Sequence, residues 1–169
     1  MSSTVHRTLF VATIACLLAG CSGNPKTINS YWVPGQKLPD AAEYFAWPPP
    51  DQTEFANFGA PDPTFDDLMR STIEQGFESR GYTFQPEGRP DFVIRYRIGR
   101  QVRQAETGTD SWDEVDLAID AINPNTSKLI WVGSLQTRID YSAAPDVRRK
   151  RVETAVEKVL EKFPKYGME

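Results

Sequence analysis

Few side chains in this 169-residue chain are equipped for catalysis. The one histidine is His6, and the two cysteines are Cys16 and Cys21. His6 and Arg7 make a basic start that leads into an apolar run over residues 9–19, which closes on Leu18, Ala19, Gly20 and Cys21. A basic start, a short apolar run and small residues before a cut describe a secretory signal peptide. As a helix at ~1.5 Å per residue the run spans roughly 16 Å, about half a hydrocarbon core, so a removable signal is expected rather than a membrane-spanning helix. Removing residues 1–20 leaves no histidine and a single thiol. That excludes Ser-His and Cys-His pairs, imidazole acid–base chemistry and zinc thiolate sites. No G-x-S-x-G, Gly-rich phosphate loop or zinc-binding helix motif is present. Carboxylates, lysines, serines and tyrosines remain. They could build a glycosidase-like carboxylate pair or a Ser-Lys site, but no spacing singles one out. The expectation is a non-enzyme with no catalytic residue, cofactor or metal; a carboxylate-based hydrolase stands third among the functional readings.

Cys21 is the residue with a defined chemical fate. The quartet Leu18-Ala19-Gly20-Cys21 resembles the lipobox of bacterial lipoproteins, in which the cysteine thiol accepts diacylglycerol before the signal is cut. In such lipoproteins a serine after the cysteine, here Ser22, goes with export to the outer membrane. The resemblance implies lipidation of Cys21 and attachment to the outer membrane, facing the periplasm. Each buried methylene contributes about 0.8 kcal/mol and one myristoyl chain binds only marginally, so two or three acyl chains make the attachment effectively permanent. The chain from Cys21 onward has 149 residues (169 less 20) and a formal charge of −5, the −4 of the whole less the +1 of Arg7. That length suits one domain. With no second cysteine no internal disulfide forms, even in an oxidising compartment, and the fold must rest on its core.

Three charged groups and one aromatic stretch could form binding surfaces. Arg95 and Arg97 share one face of a strand, and Asp116 and Asp120 share the outer face of the next. Cross-strand ion pairing is the plain expectation, at a few tenths to about 1 kcal/mol each; a polar face that docks a partner is the sharper one. Arg148, Arg149, Lys150 and Arg151 stand near a helix N-terminus, where cations oppose the macrodipole. They read as a solvated face offset by Glu153, Glu157 and Glu161, or else as a contact for lipid phosphates or an acidic partner. Asp66 and Asp67 suit a helix start. Asp110, Asp113, Glu114 and Asp116 lack the regular calcium-loop pattern and read as a solvated loop. Nucleic acid is not expected as a partner of an acidic envelope protein. Tyr31, Trp32, Tyr44, Phe45, Trp47, Phe55, Phe58 and Phe65 should mostly fill the core, with those near Pro48-Pro49-Pro50 able to frame a groove for a peptide or lipid.

The elements that position these residues follow from spacing. Residues 21–27 read as the lipidated cysteine and its tether, 28–164 as a single domain and 165–169 as a tail. Strands are expected at 28–33 and 43–47, the second stopped by the prolines. A helix follows, with Thr64 as N-cap and Asp67 completing a capping box. Phe65, Leu68, Met69, Thr72, Ile73, Gly76 and Phe77 make its apolar face, and Gly81 is suited to the left-handed residue that closes it. Alternation predicts strands over 91–103, 114–122 and 128–139, the last apolar on both faces at its start and so a central strand. Gly133 marks a bulge or a close backbone approach. A final helix over 145–162 places Val152, Ala155, Val156, Val159, Leu160 and Phe163 on one face before Pro164. The expected fold is α+β: a mostly antiparallel sheet of four or five strands with two helices packed on one face.

Taken in order, Tyr44-Phe45-Ala46-Trp47, Ser79-Arg80-Gly81-Tyr82, Pro90-Asp91-Phe92-Val93-Ile94-Arg95-Tyr96, Asp116-Leu117-Ala118-Ile119-Asp120, Lys128-Leu129-Ile130-Trp131-Val132-Gly133 and Lys162-Phe163-Pro164 resemble the domain of unknown function 4136 family of bacterial lipoproteins. The resemblance runs over residues 27 to 164. Val132 departs from it, since arginine is commoner there in the family, and so does the pair Tyr31-Trp32. The resemblance implies fold and location and adds no reaction. The leading functional expectation is an anchored, non-enzymatic envelope module with an unknown envelope protein or lipid as partner. A carrier or sensor of a small apolar ligand held between sheet and helices is the alternative, with Phe77, Ile94, Tyr96, Leu117, Trp131 and Val156 around it.

Overall fold

The computed structural model describes residues 27–49, 60, 62–104, 111–138 and 144–167. Cys21 and its tether, Phe55, Phe58 and Asp110 lie outside the described residues, as do the side chains of residues 101–104 and 111–113. The chain forms β1 (Thr27–Trp32), β2 (Tyr44–Ala46), α1 (Pro63–Glu78), β3 (Thr83–Phe84), β4 (Phe92–Gln104), β5 (Ser111–Ile122), β6 (Leu129–Arg138) and α2 (Pro145–Leu160). These strands make one six-stranded sheet in the order β1-β6-β5-β4-β2-β3.

The α+β class and the pair of helices agree with the sequence, but the sheet is larger and mixed rather than four or five mostly antiparallel strands. β1, β6, β5 and β4 pair antiparallel, whereas β2 lies parallel to both β4 and β3. Parallel neighbours need a long crossover, and α1 supplies it between β2 and β3. β3 is two residues long, too short to show alternation. The carboxylate of Asp91 holds β2 in place, accepting from the backbone N–H groups of Glu43 and Tyr44, both at 2.9 Å.

α1 begins two residues earlier than its sequence suggests. Asp62 rather than Thr64 is the N-cap, accepting from the Phe65 N–H at 2.9 Å. Pro63 then occupies the first helical position, where a missing N–H costs nothing. The other end closes at Gly81, whose φ of +91° only glycine adopts without strain. Arg80 ties the two helix ends together, donating from Nε to the Leu160 carbonyl at 3.0 Å and from Nη1 to the Gly76 carbonyl at 3.1 Å.

Both helices cover the sheet face carrying Ile94, Tyr96, Ile98, Val115, Leu117, Ile119, Trp131 and Leu135, all in one buried cluster with Phe45, Phe65, Met69, Ile73, Phe77, Val152, Val156, Val159, Leu160 and Phe163. Two glycines allow the layers to approach. A Cβ on Gly76 would stand 2.7 Å from Leu160 Cδ1, and one on Gly133 would overlap the Trp131 indole and stand 2.8 Å from Val159 Cγ1. Gly133 is thus the close approach that its place in a strand suggested. The register irregularity falls instead at Ala121/Ile122. β6 is an interior strand, as its two apolar faces required.

Strand directions define two poles. β1 begins, β6 ends, and both helices begin at one of them, where the described chain starts at Thr27. At the other, β1 ends, β2, β3 and β4 begin, and α2 ends; there Trp32 and Phe92 both meet Phe163.

Candidate functional site

Arg95 and Arg97 come together on the sheet face away from the helices. Register sets Arg95 opposite Asp120, and Arg97 opposite Ala118, diagonal to the same aspartate. Arg95 Nε donates to Asp120 Oδ2 at 2.7 Å; Arg97 Nε donates to Oδ2 and Nη2 to Oδ1, each at 2.8 Å. Asp116 lies opposite Gly99 instead. Asp120 points away from the helices but is fully buried, shielded by Val132 across the strand and by the two arginine stems, which cover apolar surface as such stems do. Hydrogen bonding to Asp120 holds the Arg97 guanidinium above its ordinary value, against the opposing effect of burial. The arrangement is a cross-strand cluster in which two guanidinium groups share one carboxylate.

The four cations at the start of α2 are not gathered in this way. Arg149, Lys150 and Arg151 are exposed and Arg148 half-buried. Ala144 caps the helix without a side-chain hydrogen bond. Arg148 Nε is buried with no hydrogen-bond partner among the described residues. The arginine cluster sits on the open face and these cations on a helix shoulder over the other face, so the six residues expected as an interaction surface form two separate patches.

Two features escaped the sequence. The first is a polar network beneath α1. The Tyr96 hydroxyl donates to Asp66, whose other oxygen accepts from Arg70 Nε at 2.9 Å. Arg70 lies over the Trp47 ring at 4.8 Å, and Trp47 Nε1 donates to Glu74 Oε1 at 2.5 Å. Trp47 is therefore bound in place rather than framing an open groove. Burial first, then the bond to Asp66, pushes the Tyr96 hydroxyl far above its ordinary value; burial raises Tyr82 as well. Above about pH 10, where free tyrosine ionises, the unfolded chain sheds protons that the folded one retains, so stability should fall with rising pH. Tyr96→Phe should cost about 1.5 kcal/mol at neutral pH and flatten that alkaline decline, both read by urea denaturation at pH 7 to 11.

The second is an aromatic cap on the pole far from the tether. Trp32 (40% exposed), Tyr44 (38%) and Tyr166 (41%) are three of the six large apolar side chains exposed among the described residues. Trp32 and Tyr166 are backed by a buried aromatic layer. Trp32 stacks on Phe163 at 6.0 Å, Phe163 meets Tyr82 at 5.5 Å, and Tyr82 meets Tyr166 at 6.2 Å. The Tyr166 N–H donates to the Arg80 carbonyl at 2.8 Å, pinning the residue that the sequence consigned to a tail. No periodic signal marks this cap, because its members come from the end of β1, the start of β2 and the segment after α2.

Among the described residues, no group of three or more His, Cys, Asp or Glu side chains is placed to hold a metal, and no helix is long and apolar enough to cross a membrane.

The family model described as domain of unknown function (DUF4136) matches residues 37–165. The chain belongs to this family. The DUF4136 span leaves out β1 and Tyr166, so two of the three residues of the aromatic cap, Trp32 and Tyr166, stand outside it. Among solved structures, the PelC dodecamer from Paraburkholderia phytofirmans is similar at a TM-score of 0.51 and 12% identity, over 79% of this chain and 96% of that one. A PDZ domain protein from Parabacteroides distasonis also reaches 0.51 at 12% identity, over 83% of this chain and 36% of that one. Lipoprotein GNA1162 from Neisseria meningitidis gives 0.42 at 14% identity, over 68% of this chain and 94% of that one. The first two show a shared fold. No curated protein sequence matches.

Proposed function

We propose that this DUF4136 protein is a non-enzymatic interaction module of the bacterial envelope. Acyl chains on Cys21 hold it on the periplasmic face of the outer membrane, and its far pole docks another envelope protein. The aromatic cap carries this reading. Three large rings are exposed at the pole opposite the tether, Trp32 and Tyr166 among them on a buried aromatic backing, and aromatic residues are enriched at binding hot spots. A PelC protein of the same fold was solved as a dodecamer, which makes a second copy of the chain one partner to consider. The residues expected around an apolar ligand are instead packed with one another: Phe77, Ile94, Tyr96, Leu117, Trp131 and Val156 are each at most 4% exposed within one cluster.

Crosslinking in intact cells followed by mass spectrometry tests the proposal. Wild-type protein should give a discrete crosslinked species, which Trp32→Ser combined with Tyr166→Ser removes while the protein stays folded. Cys21→Ala should end lipid labelling and release the protein from membranes. A crosslinked species indifferent to the two aromatic substitutions, or recovery of monomer alone, would count against the docking pole. Continued lipid labelling of Cys21→Ala would count against the anchor.

A further inference from the structure

The pole next to the tether carries a different signal. Residues 22–26 separate Cys21 from Thr27 at the start of β1, and six extended steps reach about 20 Å. α2 begins at this same pole and packs against β6 and β1, so its first turns flank the point where the tether enters. α1, with Asp62, Asp66 and Asp67 at its start, packs against α2 and meets β3 only near its far end. The first turns of α2, beside the start of β1, are basic. Residues 145–151 hold Arg148, Arg149, Lys150 and Arg151 against the single carboxylate of Asp146, while Glu153, Glu157 and Glu161 come only farther from the pole.

Among the described residues no side chain draws on these charges. Cations at a helix start oppose its dipole, and among the described residues no carboxylate pairs with Arg149, Lys150 or Arg151. Arg95 and Arg97, by contrast, are spent on Asp120. The three exposed cations oppose the helix dipole and make no ion pair among the described residues, yet they lie within reach of the bilayer.

We propose that Arg149, Lys150 and Arg151 seat on the anionic phospholipid headgroups of the bilayer that holds acylated Cys21, and so fix the orientation of the domain on its tether. This rests on the anchoring of Cys21 proposed above. Reach and charge favour lipid over an acidic protein, because the chain between Cys21 and Thr27 can span at most about 20 Å, which leaves little room for a second folded domain. Each cation beside an anionic leaflet gains about fivefold in association, and the gain fades within a Debye length, ~10 Å at 0.1 M salt. The docked pose turns the aromatic cap away from the membrane.

The test uses the mature acylated protein reconstituted in vesicles of phosphatidylcholine alone or with phosphatidylglycerol. Amine labelling of Lys150 is read by mass spectrometry, with exposed Lys165 near the far pole as internal reference. With phosphatidylglycerol present, Lys150 should label several-fold more slowly relative to Lys165. That protection should vanish near 1 M salt, where screening acts over about 3 Å. It should also vanish in the Arg149→Glu/Arg151→Glu variant, whose changes are on the surface and leave the fold intact. Equal Lys150 reactivity on the two vesicle types, in a protein that is acylated and retained, would overturn the docking alone. A protein isolated without acyl chains would overturn the anchor, and the docking with it.

Discussion

Asp120→Ala should destabilise the protein by about 3 kcal/mol, close to the low end of what removing one partner of a buried ion pair costs. The substitution leaves two guanidinium groups on the open sheet face with no carboxylate between them. Their side chains are 16% and 33% exposed, so water reaches Arg97 more easily than Arg95, which keeps the loss near that low end. At about 3 °C per kcal/mol for a chain of this size, the melting temperature should drop by roughly 9 °C. Asp120→Asn keeps an acceptor and the shape, and should lose less. The triple change Asp120→Val, Arg95→Met and Arg97→Met should come back close to wild type, because apolar side chains of similar volume replace buried ion pairs at little cost. Urea denaturation followed by circular dichroism separates these outcomes. A loss under about 0.5 kcal/mol for Asp120→Ala would mean that the cluster behaves as an exposed pair.

The Asp120 cluster also shows how far spacing alone could go. Alternation placed Arg95, Arg97 and Asp120 on one face, correctly, but gave Asp116 and Asp120 equal standing. Which carboxylate receives the arginines depends on strand register, and register is set by the way the β4–β5 hairpin closes rather than by either strand's pattern. The long strands and both helices were legible because a half-buried element repeats its burial every two residues, or about every 3.6. β2 and β3 offered three and two residues, less than one reliable period, and their parallel pairing through α1 is a tertiary fact. The cap of α1 was misplaced because Ser, Thr, Asp and Asn compete as N-caps; Pro63 decided in favour of Asp62.

Several landmarks that suggested the family turn out to build the fold. Asp91 holds β2, Arg80 joins the two helix ends, Gly81 supplies a left-handed turn, Gly133 admits Trp131 and Val159, and Phe163 closes the core. A signature made of such residues identifies the fold and leaves the surfaces unspecified. Apart from Tyr44, the proposed surfaces lie off that signature: the cations of α2, and Trp32 and Tyr166 outside the matched span. Their members are far apart in sequence or part of an ordinary-looking charged helix, so no local pattern announces them.

Phe163 links that core to the proposed docking pole, and Phe163→Ala should show the connection. Its ring meets Phe77 and Trp131 at 5.0 Å, Tyr82 at 5.5 Å, Phe92 at 5.9 Å and Trp32 at 6.0 Å. Truncating a buried phenylalanine costs about 3–5 kcal/mol. The upper part of that range is expected here, because the five neighbouring rings belong to α1, β1, β4, β6 and the segment following α1, and no single shift lets them all close the gap. Chemical denaturation should register the loss directly. Phe163→Leu, which keeps most of the apolar volume, should cost under about 1.5 kcal/mol and remain folded at room temperature. In that milder variant Trp32 loses the ring it stacks on while its own exposure and backbone pairing with Trp131 persist. The crosslinked species assigned to the far pole should therefore weaken in Phe163→Leu even though the protein is folded and membrane-held. Unchanged crosslinking would mean that the exposed rings engage their partner without the rigid aromatic layer beneath them.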